Sequence, residues 1–337
     1  MPIQYGGILD EHRAVRTAAG MFDLSHMGQF VATGDGVDAW LDRLTCNAVA
    51  TMKPNQARYN VFTNERGGAH DDTIIYRLVG RWLMVVNAAN SEKMWDLLNR
   101  GKPAGVTLKN RTPESALIAV QGPRALELLQ PLTDVDLNGV KYYFAAEGDV
   151  AGVHAELART GYTGEDGFEL FIRAEDAEGL WDRLVREGDR VGLVPAGLGA
   201  RDVLRLEAGM PLYGHELEED ITPLQAGLDW AVRLDKPDFT GRQALAEQKR
   251  SGGYARIAGL EMDGKAPARA GYAVFDRARA VGDVRSGAPA PALGGKCIAT
   301  ALVASDASAP GTRLEVDIRG RREGAAVVPL PFYKRKK

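Results

Sequence analysis

The segment Gly161-Tyr162-Thr163-Gly164-Glu165-Asp166-Gly167-Phe168-Glu169-Leu170 constrains this chain most, because a glycine-punctuated turn there delivers one acidic side chain onto an otherwise apolar strand. Gly161, Gly164 and Gly167 permit backbone angles that other residues resist, which suits a tight reversal between strands at Val153–Ala158 and Phe168–Ile172. Side chains alternate across a strand, so Phe168, Leu170 and Ile172 share one face and Glu169 leaves by the other, beside Phe171. A carboxylate in that position is either solvated or recognises a ligand.

The chain has 337 residues, 45% of them apolar and 26% charged, a globular balance with room for two or three cores. No apolar run reaches the ~20 residues that a membrane helix needs, so no membrane association is expected. The net charge of −3 leaves no basic footprint for nucleic acid, and Lys334-Arg335-Lys336-Lys337 reads as a short solvated tail. Cys46 and Cys297 flank no second cysteine or histidine, so neither a disulfide framework nor a metal site is expected. A start of Met1-Pro2-Ile3-Gln4-Tyr5 lacks secretory and transit character, which points to a mature cytoplasmic protein.

Apolar spacing predicts helices over Ile8–Ala19, Val37–Leu44, Leu180–Val185 and Leu198–Ala208, a helix capped by Ser91, and one opened by Gln121-Gly122-Pro123. Alternation predicts strands at Met21–Thr33, Tyr59–Thr63, Thr73–Leu78, Trp82–Asn87 and Ser115–Val120. Beyond one more helix after Gly241, short strands broken by glycine and proline run to the end with no helix. The expected architecture is an α+β body over 1–250, built of two interleaved subdomains (1–45 plus 115–250, and 46–114). An all-β barrel or jelly-roll-like domain follows over 251–337.

Asp71 and Asp72 end a glycine turn and enter a strand, where consecutive side chains point to opposite faces. Asp72 shares its face with Ile74 and Tyr76, so it either caps a surface turn or is a partly desolvated acid of functional weight. Arg201 lies between Leu198 and Leu204, on or beside the buried face of its helix. A guanidinium there is half of a structural ion pair, with Glu207 or Asp202, or half of a recognition site for a carboxylate or polar heterocycle. Serine-hydrolase elbows, P-loops and dinucleotide fingerprints do not occur. Tyr59, Tyr76, Tyr142, Tyr143, Tyr162 and Tyr333 could line a pocket for one organic ligand.

Taken together, Met21–Gly28, Gly67–Asp72, Val86–Asn90, Arg159–Glu169, Gly197–Gly209, Leu212-Tyr213-Gly214 and Pro331–Arg335 resemble the T-protein of the glycine cleavage system, from the first residues to the last. The resemblance implies a three-domain cloverleaf around a central folate channel, and a folate-dependent aminomethyltransferase. Such an enzyme takes an aminomethyl group from the lipoyl arm of the H-protein, releases ammonia, and forms 5,10-methylenetetrahydrofolate from tetrahydrofolate, its co-substrate. It implies the lipoylated H-protein as partner, a functional link to the P- and L-proteins, and no metal. By position it makes Asp72 the catalytic acid and Glu169 the acid that pairs with the pterin. Arg201, Tyr59 and Tyr162 resemble further pocket residues, Met27, Ile74, Tyr76 and Tyr142 are expected to line the same pocket, and Tyr333 belongs to a segment that reaches back to the channel in this family.

Two departures stand out. Relatives carry a segment ending near Gly-Trp-x-Met-Pro, whereas this chain begins at Met1-Pro2, so a first strand is expected to be missing, at some cost in stability or folate affinity. Arg285 stands where relatives often have threonine. Folate-dependent demethylases and folate-binding iron–sulfur assembly factors resemble the same fold, but the first come fused to a flavin domain and the second carry a Lys-Gly-Cys-Tyr-x-Gly-Gln-Glu segment. Neither feature occurs here.

Overall fold

The chain alternates short helices and strands in a computed structural model that describes residues 1–335. In order these are α1 Ile8–Thr17, β1 Ala19–Asp23, β2 Gly28–Gly34, α2 Val37–Leu44, β3 Gln56–Thr63, β4 Ala69–Leu78, β5 Arg81–Val86, α3 Ser91–Arg100, β6 Val106–Asn110, β7 Ser115–Gln121, α4 Ala125–Leu129, β8 Ala145–Val150, β9 Val153–Ala158, β10 Gly167–Arg173, α5 Ala177–Gly188, β11 Leu193–Pro195, α6 Leu198–Glu207 and α7 Arg242–Ser251. Six strands complete the chain: β12 Arg256–Met262, β13 Ala273–Asp276, β14 Arg279–Ala290, β15 Lys296–Val303, β16 Arg313–Ile318 and β17 Arg321–Val328. The helix-poor end anticipated from the sequence is thus present. The run expected as one strand over Met21–Thr33 is two, because the turn at Ser25-His26-Met27 interrupts it.

Spatially the chain forms two units, one of residues 1–60 and 71–201 and one of residues 61–70 and 202–337. The first unit holds a six-stranded sheet in the order β11-β1-β7-β10-β9-β8. Its core face carries Ile118, Val120, Leu157, Phe168, Leu170 and Ile172, packed against Leu128 and Leu129 of α4 and Leu180 and Leu184 of α5. Leu180 and Leu184 are four apart, so they fall on one helical stripe. Phe168 is fully buried, worth roughly 1.5–3 kcal/mol in apolar transfer. The opposite face of β10 is left to Glu169 and Phe171.

The same unit holds most of a second, five-stranded sheet in the order β3-β4-β5-β2-β6, with the turn end of the β3–β4 hairpin counted in the other unit. On β4, Asp71, Thr73 and Ile75 are buried, while Asp72 and Ile74 are only half covered. The helix after β5 begins at Ser91 itself, with Asn90 in the cap position and no side-chain cap bond there. The expected Ser91 cap is therefore absent, and the Asn90 carboxamide is instead bonded to Asp71.

In the second unit β12-β15-β14-β13-β16-β17 close into a barrel around Leu260, Val274, Val284, Ala299, Ala301, Val316 and Val327. Arg205 and Glu216 form an almost fully buried pair at 2.9 Å, with Arg205 also donating to Ser286 at 2.8 Å. Arg285 sits at a bulge in β14 between Val284 and Ser286. There its guanidinium donates to the His215 carbonyl at 2.6 Å, to Asp283 at 3.0 Å and to Glu218 at 2.7 Å. A threonine could not span three acceptors, so arginine at this position is a tie between the barrel strand and the 215–218 segment. That segment in turn accepts the Ala69 N–H through Glu218 O at 2.8 Å.

Candidate active site

Of the three glycines in the 161–167 turn only Gly164 adopts a backbone angle that other residues resist, at φ 80°. The other two are required by space, since a Cβ on Gly161 would lie 1.9 Å from Gln121 Oε1 and a Cβ on Gly167 would meet the Val120 carbonyl at 2.3 Å. Arg159 closes the base of the turn with bonds of 3.0 and 2.5 Å to Asp166. β10 then runs antiparallel to both β9 and β7, with Glu169 opposite Ala158 and Ala119.

Glu169 projects toward the second sheet of its unit. Its Oε2 accepts the Tyr76 hydroxyl at 3.1 Å and the Thr160 hydroxyl at 2.5 Å, and those two hydroxyls lie 3.2 Å apart. No donor among the described residues reaches Oε1. The Tyr76 ring meets Phe171 edge-on at 5.3 Å, and Arg111 lies over Phe171 at 5.7 Å while gripping Glu156 at 2.6 and 3.0 Å. Burial, then the Glu169 carboxylate, raises the Tyr76 phenol well above its usual range, so it is a standing donor.

Four residues back on β4, Asp72 Oδ2 accepts the Tyr59 hydroxyl at 3.1 Å. Its Oδ1 accepts Nδ2 of Asn87 at 2.8 Å, from the residue that follows β5. Tyr59 is likewise raised, by burial and by Asp72. Tyr162, two residues beyond Thr160, stacks under the Arg201 guanidinium at 4.7 Å. His26 feels that same charge: partial desolvation and Arg201 push its imidazole down. Met27, next to His26, is half buried in the β1–β2 turn.

Of the residues expected from sequence, Tyr59, Asp72, Ile74, Tyr76, Tyr162, Glu169 and Arg201 all belong to the first unit, where the contacts above link Tyr59 to Asp72, Tyr76 to Glu169 and Tyr162 to Arg201. Of the two acids weighed as partners for Arg201, Asp202 pairs with Arg205 at 2.7 Å and Glu207 accepts the Ala292 N–H at 3.0 Å. Its helix also turns Leu198 to solvent rather than inward. Tyr142 is 48% exposed, and its ring meets Tyr143 edge-on at 4.9 Å. Its neighbour Tyr143 has φ 61°, and the charge of Glu169 adds to burial and Tyr142 in raising its phenol. Tyr333 belongs to the second unit, where its N–H donates to the Glu207 carbonyl at 2.7 Å.

Sequence reasoning missed Thr160 and left Asn87 without a role. Thr160 had one local signal, its place just before Gly161; Asn87 had none, because its reach to the aspartates follows from the β4–β5 pairing that sets Val86 opposite Thr73. No cluster of three or more metal-ligating side chains occurs among the described residues, nor is any helix among them long and apolar enough to cross a membrane. Cys46 and Cys297 are buried and not joined in a disulfide.

Residues 1–236 match the GCVT N-terminal domain and residues 256–334 the glycine cleavage T-protein C-terminal barrel domain. The chain is 46% identical to the aminomethyltransferase of Geobacillus kaustophilus over 340 residues, covering all of this chain and 93% of that one. It is 49% identical to the aminomethyltransferase of Deinococcus deserti, covering 99% and 90%. The crystal structure of the glycine cleavage system aminomethyltransferase T from Bartonella henselae superposes with a TM-score of 0.92 at 33% identity, over 99% of this chain and 92% of that one. With both domain models matched in order and relatives similar over nine-tenths or more of their length, the chain belongs to the glycine cleavage T-protein family and is an aminomethyltransferase of that system.

Proposed function

We propose that the Tyr59, Asp72, Tyr76, Thr160 and Glu169 cluster holds tetrahydrofolate while a one-carbon unit reaches it from the aminomethyl-dihydrolipoyl arm of the H-protein. Ammonia leaves, and the products are 5,10-methylenetetrahydrofolate and the dihydrolipoyl H-protein. The single observation that carries this assignment is the half-used Glu169 carboxylate. Two hydroxyls fix Oε2, and Oε1 has no donor among the described residues. A reduced pterin offers adjacent N–H donors, from the ring and its exocyclic amine, that suit such an acceptor, and a charge-assisted bond is roughly twice as strong as a neutral one. Met27 and Ile74, both half covered, would supply apolar lining, and Arg201 on Tyr162 a flat cationic wall.

Asp72 has the complementary task. A folate nitrogen takes the aminomethyl carbon as the C–S bond breaks and the dihydrolipoyl thiol leaves; ammonia then departs through a methylene-iminium cation that the second folate nitrogen closes with loss of its proton, and an ionised carboxylate nearby stabilises that developing charge and can take up the proton. Tyr59 and Asn87 orient the carboxylate by one oxygen each. Asp72 would be the catalytic residue and Glu169, Arg201, Tyr59, Tyr162 and Tyr76 the binding residues, with no metal required. The lipoylated H-protein would be the macromolecular partner, with the P- and L-proteins acting before and after it, in a cytoplasmic setting that two cysteines outside any disulfide support.

Titration with tetrahydrofolate, followed by aminomethyl-loaded H-protein and measurement of ammonia, tests this directly. Folate binding followed by stoichiometric ammonia release is the expected result. Bound folate without ammonia would reduce the site to a passive binder.

A further inference from the structure

Asp71, the acid left out of the mechanism above, has no exposed surface, yet three N–H groups converge on it. The Asn87 backbone N–H donates to Oδ2 at 3.0 Å, Asn87 Nδ2 to Oδ1 at 2.8 Å, and Asn90 Nδ2 to Oδ1 at 2.6 Å. A buried carboxylate satisfied in this way has a definite orientation. The same Asn87 Nδ2 continues to Asp72 Oδ1 at 2.8 Å and to the Asp72 carbonyl at 3.2 Å.

A carboxamide nitrogen has two hydrogens, and here one faces each aspartate. Turned over, the amide would set its oxygen against the Asp72 carboxylate and give up both N–H bonds, which favours the orientation seen. Asp71 therefore dictates which end of Asn87 points at Asp72. Asn87 in turn leaves Asp72 a single rotamer, with Tyr59 against the other oxygen at 3.1 Å. An asparagine at 71 would present an N–H to one of the three converging donors and unsettle the whole set. All four residues belong to one unit of the fold.

Resting on the role assigned above to Asp72, we propose that Asp71 is a positioning residue that acts through Asn87, holding the Asp72 carboxylate in the orientation that the transfer step uses. Asp71 itself touches neither folate nor the aminomethyl donor. Its effect is on the rate of transfer and not on the strength of folate binding.

The test uses the full-length enzyme with Asp71→Asn, Asn87→Ser, Asp72→Asn, and the Asp72→Asn/Asn87→Ser double variant. For each, kcat for ammonia release from aminomethyl-loaded H-protein, the tetrahydrofolate Kd and the melting temperature are measured. Asp71→Asn and Asn87→Ser are expected to lower kcat roughly 10–100-fold, the usual range for a residue supporting a reactive group, with Kd within about threefold of the parent. The double variant should be no slower than Asp72→Asn alone, because a residue acting only through Asp72 has nothing left to position. If melting shows that Asp71→Asn does not fold, Asn87→Ser carries the test. Normal kcat in Asp71→Asn and Asn87→Ser beside an impaired Asp72→Asn would overturn this proposal alone, as would losses that multiply in the double variant or a matching loss of folate affinity. Normal kcat in Asp72→Asn would remove the role of Asp72 and this proposal with it.

Discussion

The Tyr76 hydroxyl donates to Glu169 Oε2 at 3.1 Å, although 93 residues separate the two in the chain. One comes from the five-stranded sheet and the other from the six-stranded sheet, so this bond fixes the spacing of two facing surfaces as well as the aim of one carboxylate. Because Thr160 takes the same oxygen, the remaining oxygen is presented in one direction.

Glu169→Gln keeps the shape of the side chain but removes the charge and places an amide N–H among the hydroxyl donors. A hydrogen bond to a charged group contributes about 1.5–3 kcal/mol, so tetrahydrofolate should bind roughly 10–100-fold more weakly. Calorimetric titration measures this, and an unchanged Kd would mean that the pterin does not use Glu169.

Asp72→Asn should leave tetrahydrofolate affinity within a few-fold while slowing aminomethyl transfer by roughly 10²–10⁴, the usual scale for a positioned acid–base group. Single-turnover assays with loaded H-protein separate the two effects. Equal rates for parent and variant would refute the role.

The pH dependence of stability should carry the mark of Asp71, which burial and the adjacent Asp72 carboxylate push up to about 7, against the opposing pull of Asn87 and Asn90. A carboxyl raised in the fold contributes stability that is fully present below its unfolded value of about 4 and is lost as pH rises through about 7. The melting temperature of Asp71→Asn relative to the parent should therefore climb between pH 5 and pH 8, whatever its absolute offset. A pH-independent difference would show that Asp71 ionises in the fold as it does in the unfolded chain.

In the barrel unit, Glu216 is held ionised. Burial alone would raise it, but Arg205, Thr300 and the Leu212 N–H outweigh burial and lower it. Removing one member of a buried pair strands the other charge, at a cost of about 3–5 kcal/mol. Arg205→Ala should show this loss in denaturant unfolding, whereas Arg313→Ala, whose pair with Asp263 is exposed and screened by water, should not. Similar losses in both would contradict the burial assigned to Arg205.

The turn at 161–167 should tolerate no added side chain at Gly167, where a Cβ would lie 2.3 Å from the Val120 carbonyl. Backbone cannot yield there as a flexible side chain can, so Gly167→Ala should destabilise by at least the 1–3 kcal/mol typical of overpacking. Gly152→Ala is a useful control, since its Cβ would meet nothing within 4 Å and only its φ of 84° is strained. A larger loss at 152 than at 167 would show that backbone angle, not space, governs this hairpin.

Much of the architecture follows from local rules, since the alternation of Phe168, Leu170 and Ile172 and the glycines before them suffice for a strand, its turn and the outward face of Glu169. The same alternation separates buried Asp71 from half-covered Asp72, and the drift to short strands after residue 256 announces the barrel. These features depend on steric preferences within a few residues, which the chain carries wherever it goes.

Which donors meet those acids was decided only in three dimensions. Thr160 reaches Glu169, Asn87 bridges Asp71 and Asp72, and Arg285 finds its three acceptors at a bulge. Each depends on the register of strands that are not neighbours in sequence, and a register shift of one residue would turn every such side chain to the opposite face. No local pattern encodes that choice, because it is fixed by the simultaneous burial of both sheets' apolar faces.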